Sequence, residues 1–237
     1  MSSRTSLTEA SLRPAVLVLF ACWLFAAMGQ HGMWLDEMQH WCLARDSNDL
    51  VDLFHNTRNE GHPPLWHLLL FFITRTTSDP VAMQVLHGLI ALCSIYLVLW
   101  HAPFPLSWRV LLVFGYFFAF EYAVISRNYG PTLLALLCAT SCYRNRNYWG
   151  WAVACLFMAA GHLWGIVFAA VWATMDIYHA GLQRRSLLPP VAVLATAGLM
   201  VWRCIPGTMG TTGIELFGSP VPNMLARMGT ITHMAML

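Results

Sequence analysis

Seven apolar segments run through the chain, and their length limits what the sequence can fold into. A helix of about 20 apolar residues crosses the hydrocarbon core of a bilayer. Several segments are shorter than this, which implies tilt, local thinning of the bilayer or burial among neighbouring helices. The sequence therefore predicts an all-α, polytopic membrane protein with about seven transmembrane helices, at residues 15–30, 81–101, 106–121, 123–142, 149–161, 163–179 and 187–203.

The composition agrees with a protein of this class. Hydrophobic residues make up 58% of the chain and charged residues only 10%. All 13 basic residues are arginine, and the net charge of +2 is too small and too scattered to indicate a nucleic-acid partner. Membrane lipids are the expected surroundings.

The arginines predict how the chain crosses the membrane, since positive residues in short loops mark the cytoplasmic side. They fall on one side only if residues 149–179 cross twice and the stretch "HPPLWHLLLFFITR" (62–75) does not cross. We therefore predict an interfacial or re-entrant helix at 62–75. The arginines that decide this are Arg4, Arg13, Arg109, Arg144, Arg146, Arg184 and Arg185.

This topology makes residues 1–237 a single membrane module with membrane helices over 15–203. Residues 31–80 form an outer loop, and 204–237 form an outer tail, with truncation of the module left open. Seven of the 11 acidic residues lie between 36 and 79, inside this loop. Two short amphipathic helices are expected there, one after Asp36 and one with Leu50, Leu53 and Phe54 on one face.

Two adjacent carboxylates, Asp36 and Glu37, stand in "MWLDEMQHW" (33–41) where the first apolar segment ends. One interpretation is structural, because D-x-x-Q at 36–39 has the form of a capping box with Asp36 as N-cap and Gln39 reaching back. The other is chemical. A carboxylate near apolar side chains and lipid is disfavoured in its charged form, which makes it a better base for a hydroxyl proton. Both can hold together.

Three motifs extend this pattern: "WLDE" (34–37), "GHPPLWHLLL" (61–70) and "SRNYG" (126–130). Over about residues 15–180 the chain resembles the GT-C superfamily of integral-membrane glycosyltransferases. The closest branch is the protein O-mannosyltransferase and aminoarabinose-transferase group. The resemblance implies an enzyme that transfers sugar, with inversion, from a polyprenyl-phosphate donor to a hydroxyl of a lipid, glycan or protein. Asp36 would be the general base, and Glu37 would support it or orient the sugar.

The leaving lipid phosphate needs a cation near the membrane surface, and Arg127 stands inside the fourth apolar segment. An arginine in a span usually indicates a polar interior, a partner or a function. Arg127 could bind the phosphate, pair with Glu121 or extend to the outer surface. Tyr129 would offer a hydroxyl to the same headgroup. The family pattern has an acidic residue beside this R-x-Y where Ser126 stands, so Glu121 is an open candidate for a second carboxylate.

Two histidines are further candidates for contact with the sugar or phosphate. His62 opens the H-P-P-L helix, where it could also be a plain polar residue, and His162 stands in "AAGHLWG", where an interfacial histidine is the alternative. Neither H-E-x-x-H nor D-x-D occurs. We therefore predict no cofactor, and leave open a divalent metal held by histidines and outer carboxylates.

Three classes of function remain. The first is the glycosyltransferase, expected in a bacterial inner membrane with its site on the periplasmic or extracellular side. The second is a non-catalytic relative, truncated or degenerate, that binds lipid-linked sugar or scaffolds a partner. The third is a small transporter, which the lack of paired, pseudo-symmetric halves disfavours.

Overall fold

The computed structural model describes residues 7–58 and 60–205, and every regular element within these ranges is helical. The predicted all-α class is confirmed. The outer tail expected at 204–237 lies outside the described residues after 205. The elements are α1 (Leu7–Gln30), α2 (Leu35–Asp46), α3 (Leu50–Asn56), α4 (Leu65–Thr74), α5 (Val81–His101), α6 (Leu106–Val113), a π-helical turn (Phe117–Glu121), α7 (Tyr129–Arg144), α8 (Tyr148–Gly161), α9 (Leu163–Gln183) and α10 (Leu188–Cys204).

Three helices are long and apolar enough to cross a membrane: Glu9–Gln30, Val81–His101 and Leu163–Gln183. This is compatible with a membrane protein. The other apolar segments also form helices, but they are shorter, and the count of seven transmembrane helices stays a prediction.

The sequence predicted Arg127 inside a helical span, and the structure places it outside one. The fourth apolar segment becomes helical only at Tyr129, and residues 122–128 form an irregular connector before α7. The Ser126 N–H donates to a carboxylate from another part of the chain, which takes the place of a helical partner. The connector therefore carries Arg127 just before the start of α7 and outside a helical span.

The outer loop forms α2, α3 and α4, so the two expected short helices are present. Trp41 and Trp66 are fully buried between these helices, so neither is an anchor at a membrane interface. They pack with Leu53, Leu70 and Met83. The loop therefore has a hydrophobic core of its own.

The two ends of the bundle differ in charge. At one end Arg109 Nη1 donates to Leu99 O at 2.6 Å, Arg144 Nη1 donates to His101 O at 2.6 Å, and Arg185 pairs with Asp176. At the other end the Gln84 amide reaches His31 O at 3.5 Å, where α1 leaves the bundle and the acidic loop begins. This separation agrees with the arginine pattern. Which side of a membrane each end faces stays a prediction.

His87 of α5 contacts the connector and limits its movement. Its side chain is fully buried, Nδ1 lies 3.2 Å from Ala123 O, and the ring meets Trp66 at 5.7 Å between centroids. A Cβ at Gly130 would stand 2.4 Å from His87 Nε2, so only glycine lets α7 begin this close to α5. The connector and α4 are thus fixed on one imidazole.

α8 and α9 form a tight hairpin around Gly165. A Cβ added there would stand 2.1 Å from the carbonyl oxygen of Met158, and this oxygen belongs to backbone that cannot rotate away. Gly181, at the far end of the same helix, has nothing within 4 Å of its Cβ position.

We expect Gly165→Ala to destabilise the protein by about 1–3 kcal/mol, because the methyl group forces the hairpin apart. The measurement is the thermal unfolding midpoint of the purified chain in detergent. Gly181→Ala is the matched control and should leave the midpoint unchanged or slightly raised, since alanine favours helix. Equal midpoints for the two variants would contradict the close packing.

Candidate functional site

The buried carboxylate of Glu37 connects three parts of the chain. Its side chain is fully buried. Oε2 accepts the Trp34 N–H at 2.7 Å and lies 2.8 Å from His31 Nε2, while Oε1 accepts the Ser126 N–H at 2.6 Å. The end of α1, the start of α2 and the connector before α7 are therefore held on one side chain.

This arrangement replaces the capping box that the sequence predicted. The N-cap of α2 is Trp34, not Asp36, and the residue that reaches back to it is Glu37, not Gln39. Gln39 instead donates through Nε2 to both carboxylate oxygens of Glu60, at 3.0 and 2.9 Å. The helix starts earlier because Glu37 serves the cap and the connector at once.

The Asp36 side chain points in a different direction from that of Glu37, because successive helical residues are rotated by about 100°. Its carboxylate meets Arg127, with Oδ2 at 3.2 Å from Nη1. The Asp36 side chain is 53% exposed and that of Arg127 is 19% exposed. The structure thus brings together the two residues that the sequence singled out for chemistry. The desolvation expected for Asp36 is only partial.

Aromatic and imidazole rings continue from this ion pair. The Arg127 guanidinium carbon lies 5.1 Å from the centroid of the Tyr129 ring, the Tyr129 and His162 rings lie 4.8 Å apart, and the His162 and His62 rings lie 5.2 Å apart. We call Asp36, Arg127, Tyr129, His162 and His62 the outer cluster. Two local bonds fix its histidines: Trp164 N–H donates to His162 Nδ1 at 3.2 Å, and His62 Nδ1 lies 2.8 Å from Glu60 O.

Glu121 stands apart from the outer cluster. It ends the π-helical turn, and its Oε2 accepts the Tyr116 hydroxyl at 3.2 Å. The ion pair between Glu121 and Arg127 that the sequence left open is therefore not the one formed, because Asp36 holds the guanidinium.

His162 does not add positive charge to the outer cluster beside Arg127. Burial lowers the pKa of His162 to about 4, and nearby His62 and Arg127 add to the effect. His162 is therefore neutral at pH 7. It can donate or accept a hydrogen bond, but it does not supply the positive charge that an anionic ligand needs.

Three residues that sequence reasoning did not single out lie beside this cluster. His40, Glu60 and His67 each place one possible metal-ligand atom within 4.8 Å of the others. His31 and Ser126, which hold Glu37, were also missed. No local motif marks any of these positions. His40 and His67 stand 27 residues apart, and Ser126 acts through its backbone, which the residue type does not reveal.

An apolar groove of about 350 Å³ lies between α6 and the π-helical turn, lined in part by Leu111, Phe117 and Tyr122. Leu111 and Phe117 are exposed side chains. The groove is not inside the outer cluster, but Tyr122 connects them, because its ring lies 6.1 Å from that of Tyr129.

Comparison with protein-family models, with curated proteins and with solved structures finds no match to this chain. The geometry of the site is therefore the basis for a functional proposal.

Two neighbouring substitutions should affect folding very differently. Glu37→Gln places an amide NH₂ against backbone N–H donors in a buried site, so we expect a loss of about 2–4 kcal/mol in unfolding free energy. Asp36→Asn removes a half-exposed ion pair, which costs less than about 1 kcal/mol. Thermal unfolding in detergent measures both. Similar losses for both variants would show that Glu37 does not have this structural role.

Acid should weaken the fold through His40 and His67. Burial lowers the pKa of His40 well below 6.5, and burial lowers that of His67 to about 4. Below about pH 6.5 the unfolded chain binds these protons and the folded chain does not, so stability present at pH 7 falls by up to about 1.4 kcal/mol per histidine and pH unit. Burial raises the pKa of Glu60, which acts in the opposite sense at lower pH.

The measurement is the unfolding midpoint between about pH 7 and pH 5.5, with a chelator present. His67→Gln should flatten the pH dependence, whereas His55→Gln, at an exposed position of α3, should leave it unchanged. An unaltered slope in His67→Gln would contradict a neutral, buried imidazole.

Proposed function

We propose that the chain is a GT-C-like membrane glycosyltransferase that moves a sugar from a polyprenyl-phosphate donor to a hydroxyl acceptor. One observation carries the proposal. Asp36 and Arg127, which lie far apart in sequence, meet at 3.2 Å at the end of the bundle that bears the acidic loop. The resemblance of the motifs implies that Asp36 is the base, and the need of the leaving phosphate for a nearby cation points to Arg127.

Arg127 fits the phosphate role because its guanidinium brings a positive charge into the outer cluster and is still partly exposed. A guanidinium can bind two phosphate oxygens at once, and it keeps its charge at any working pH. Tyr129 under the guanidinium limits its movement and places a hydroxyl near the same headgroup. The phosphate of a bound donor would then compete with Asp36 for Arg127.

The apolar groove supports a lipid-linked donor. Its lining of leucine and aromatic side chains suits an isoprenoid chain, and Tyr122 joins it to Tyr129 in the outer cluster. A donor lying in the groove would bring its headgroup toward Arg127. The sugar would stand beyond the phosphate, near Asp36 and the two histidines, His62 and His162.

The chemistry then needs only one proton carrier. The acceptor hydroxyl attacks the anomeric carbon, its proton passes to the Asp36 carboxylate, and the bond from that carbon to the phosphate oxygen breaks. The bonding electrons leave with the lipid phosphate, whose added charge Arg127 stabilises. Glu37 is enclosed and fully bonded, so we assign it to positioning Asp36 and not to proton transfer.

The second candidate is a non-catalytic relative that binds lipid-linked sugar. The observation that favours it is the scarcity of carboxylates in the outer cluster. Ser126 stands beside Arg127, Glu121 is held by Tyr116, and the Asp36 carboxylate is already paired. Such a site could hold a phosphate without providing a free base.

Sugar transfer by the purified chain in lipid vesicles, offered a panel of polyprenyl-phosphate sugars, tests the enzyme. We expect Asp36→Asn to lower the rate by at least about 100-fold, because a general base contributes 10²–10⁴-fold. Asp46→Asn is the matched control. Asp46 is the last residue of the same helix, is 60% exposed and is paired with Arg45, so transfer should be unchanged.

If wild-type protein transfers sugar and Asp36→Asn transfers it at the same rate, Asp36 is not the general base. The non-catalytic relative would be favoured by two results together. Wild-type protein would transfer sugar from none of the donors, and it would still bind a donor more tightly than Arg127→Gln does.

A further inference from the structure

Two buried imidazoles face each other in the outer loop. His40 of α2 is 4% exposed, His67 of α4 is fully buried, and His40 Nδ1 lies 2.9 Å from His67 Nε2. A neutral imidazole has one N–H donor and one lone pair, so one hydrogen bond joins the two rings.

The pair by itself leaves polar atoms unsatisfied. His40 Nε2 and His67 Nδ1 are buried without a hydrogen-bond partner among the described residues. Whichever ring donates across the 2.9 Å contact, one buried acceptor and one buried donor remain. Such groups are uncommon in folded proteins, where a bound water or ion usually satisfies them.

Glu60 completes a set of three. It lies in the loop before α4, and one ligand atom from each of Glu60, His40 and His67 falls within 4.8 Å of the others. Among the described residues, its carboxylate accepts hydrogen bonds only from the neutral amide of Gln39. No ion pair within the described residues compensates its charge, and burial raises its pKa. A cation at this point would supply the missing charge.

We propose that His40, Glu60 and His67 bind a divalent transition-metal ion, zinc by preference, as a three-residue site with one position open. Two imidazoles and one carboxylate are a zinc ligand set, whereas magnesium and calcium select oxygen ligands. Gln39 acts from outside the set by orienting the Glu60 carboxylate. The site lies outside the outer cluster and does not depend on sugar transfer.

The metal would act as a clamp between α2, the loop before α4, and α4 itself. His62 follows two residues after Glu60, and its Nδ1 lies 2.8 Å from Glu60 O. Its ring packs on His162 in the outer cluster. Fixing Glu60 therefore fixes His62 in the outer cluster, so the ion would order part of that cluster without contacting a substrate.

Zinc binding is tested on the full chain, purified in detergent through a histidine-free affinity tag and stripped with a chelator. We expect one tightly bound Zn²⁺ per chain and a rise of about 5 °C in the unfolding midpoint at saturating Zn²⁺. X-ray absorption of the bound ion should show nitrogen and oxygen ligands at about 2.0–2.1 Å and scattering from two imidazoles.

Substitutions outside the buried pair keep the fold intact for this test. Glu60→Gln, of nearly equal size, should abolish stoichiometric binding, and Gln39→Ala, at an exposed position, should weaken affinity by about 10–100-fold. His55→Gln, which alters an exposed histidine of α3, should bind Zn²⁺ like the wild type.

Three results would overturn the proposal: less than stoichiometric zinc on the stripped wild-type chain, unchanged affinity in Glu60→Gln, or an absorption spectrum without imidazole scattering. The histidines would then be a buried hydrogen-bonded pair only.

Discussion

The outer end of this bundle depends on one buried carboxylate. Burying a charge is costly unless hydrogen bonds replace its water, and Glu37 obtains these from three separate segments. The same contacts fix where α2 starts and where the connector before α7 passes. Asp36 is the neighbour of Glu37 in α2, and Arg127 is the neighbour of Ser126 in the connector. The contact between Asp36 and Arg127 therefore follows from the position of Glu37.

Two adjacent acids thereby acquire different tasks. Helical rotation turns Glu37 into the protein and Asp36 out of it, and the exposed fractions of their side chains, 0% and 53%, express this difference. The buried acid gives rigidity and the exposed acid remains accessible to a ligand. Holding a reactive group on a fixed backbone is how a site keeps its geometry while its substrate changes.

The sequence predicted much of this fold because apolar length and short-loop arginines are local signals. The helical segments and the two loop helices were predicted from these signals, whereas Asp36 and Arg127 were singled out from the motifs that contain them. Long-range contacts were not accessible. The Ser126 N–H that redirects the connector, the core position of Trp41 and the approach of His40 to His67 depend on how separate segments fold together. The N-cap was misplaced because Glu37, and not Gln39, bonds back to the helix start, and its second oxygen accepts a hydrogen bond from the distant connector.

The groove beside α6 lies on the flank of the bundle, with exposed Leu111 and Phe117 at its wall. On the proposed function, a carrier lipid would arrive by sideways diffusion within the bilayer leaflet and not from water. About 350 Å³ encloses only part of a long isoprenoid, and the remainder would stay among neighbouring acyl chains. The protein would then select its donor by the headgroup, and it would accept carrier lipids of different chain length equally well.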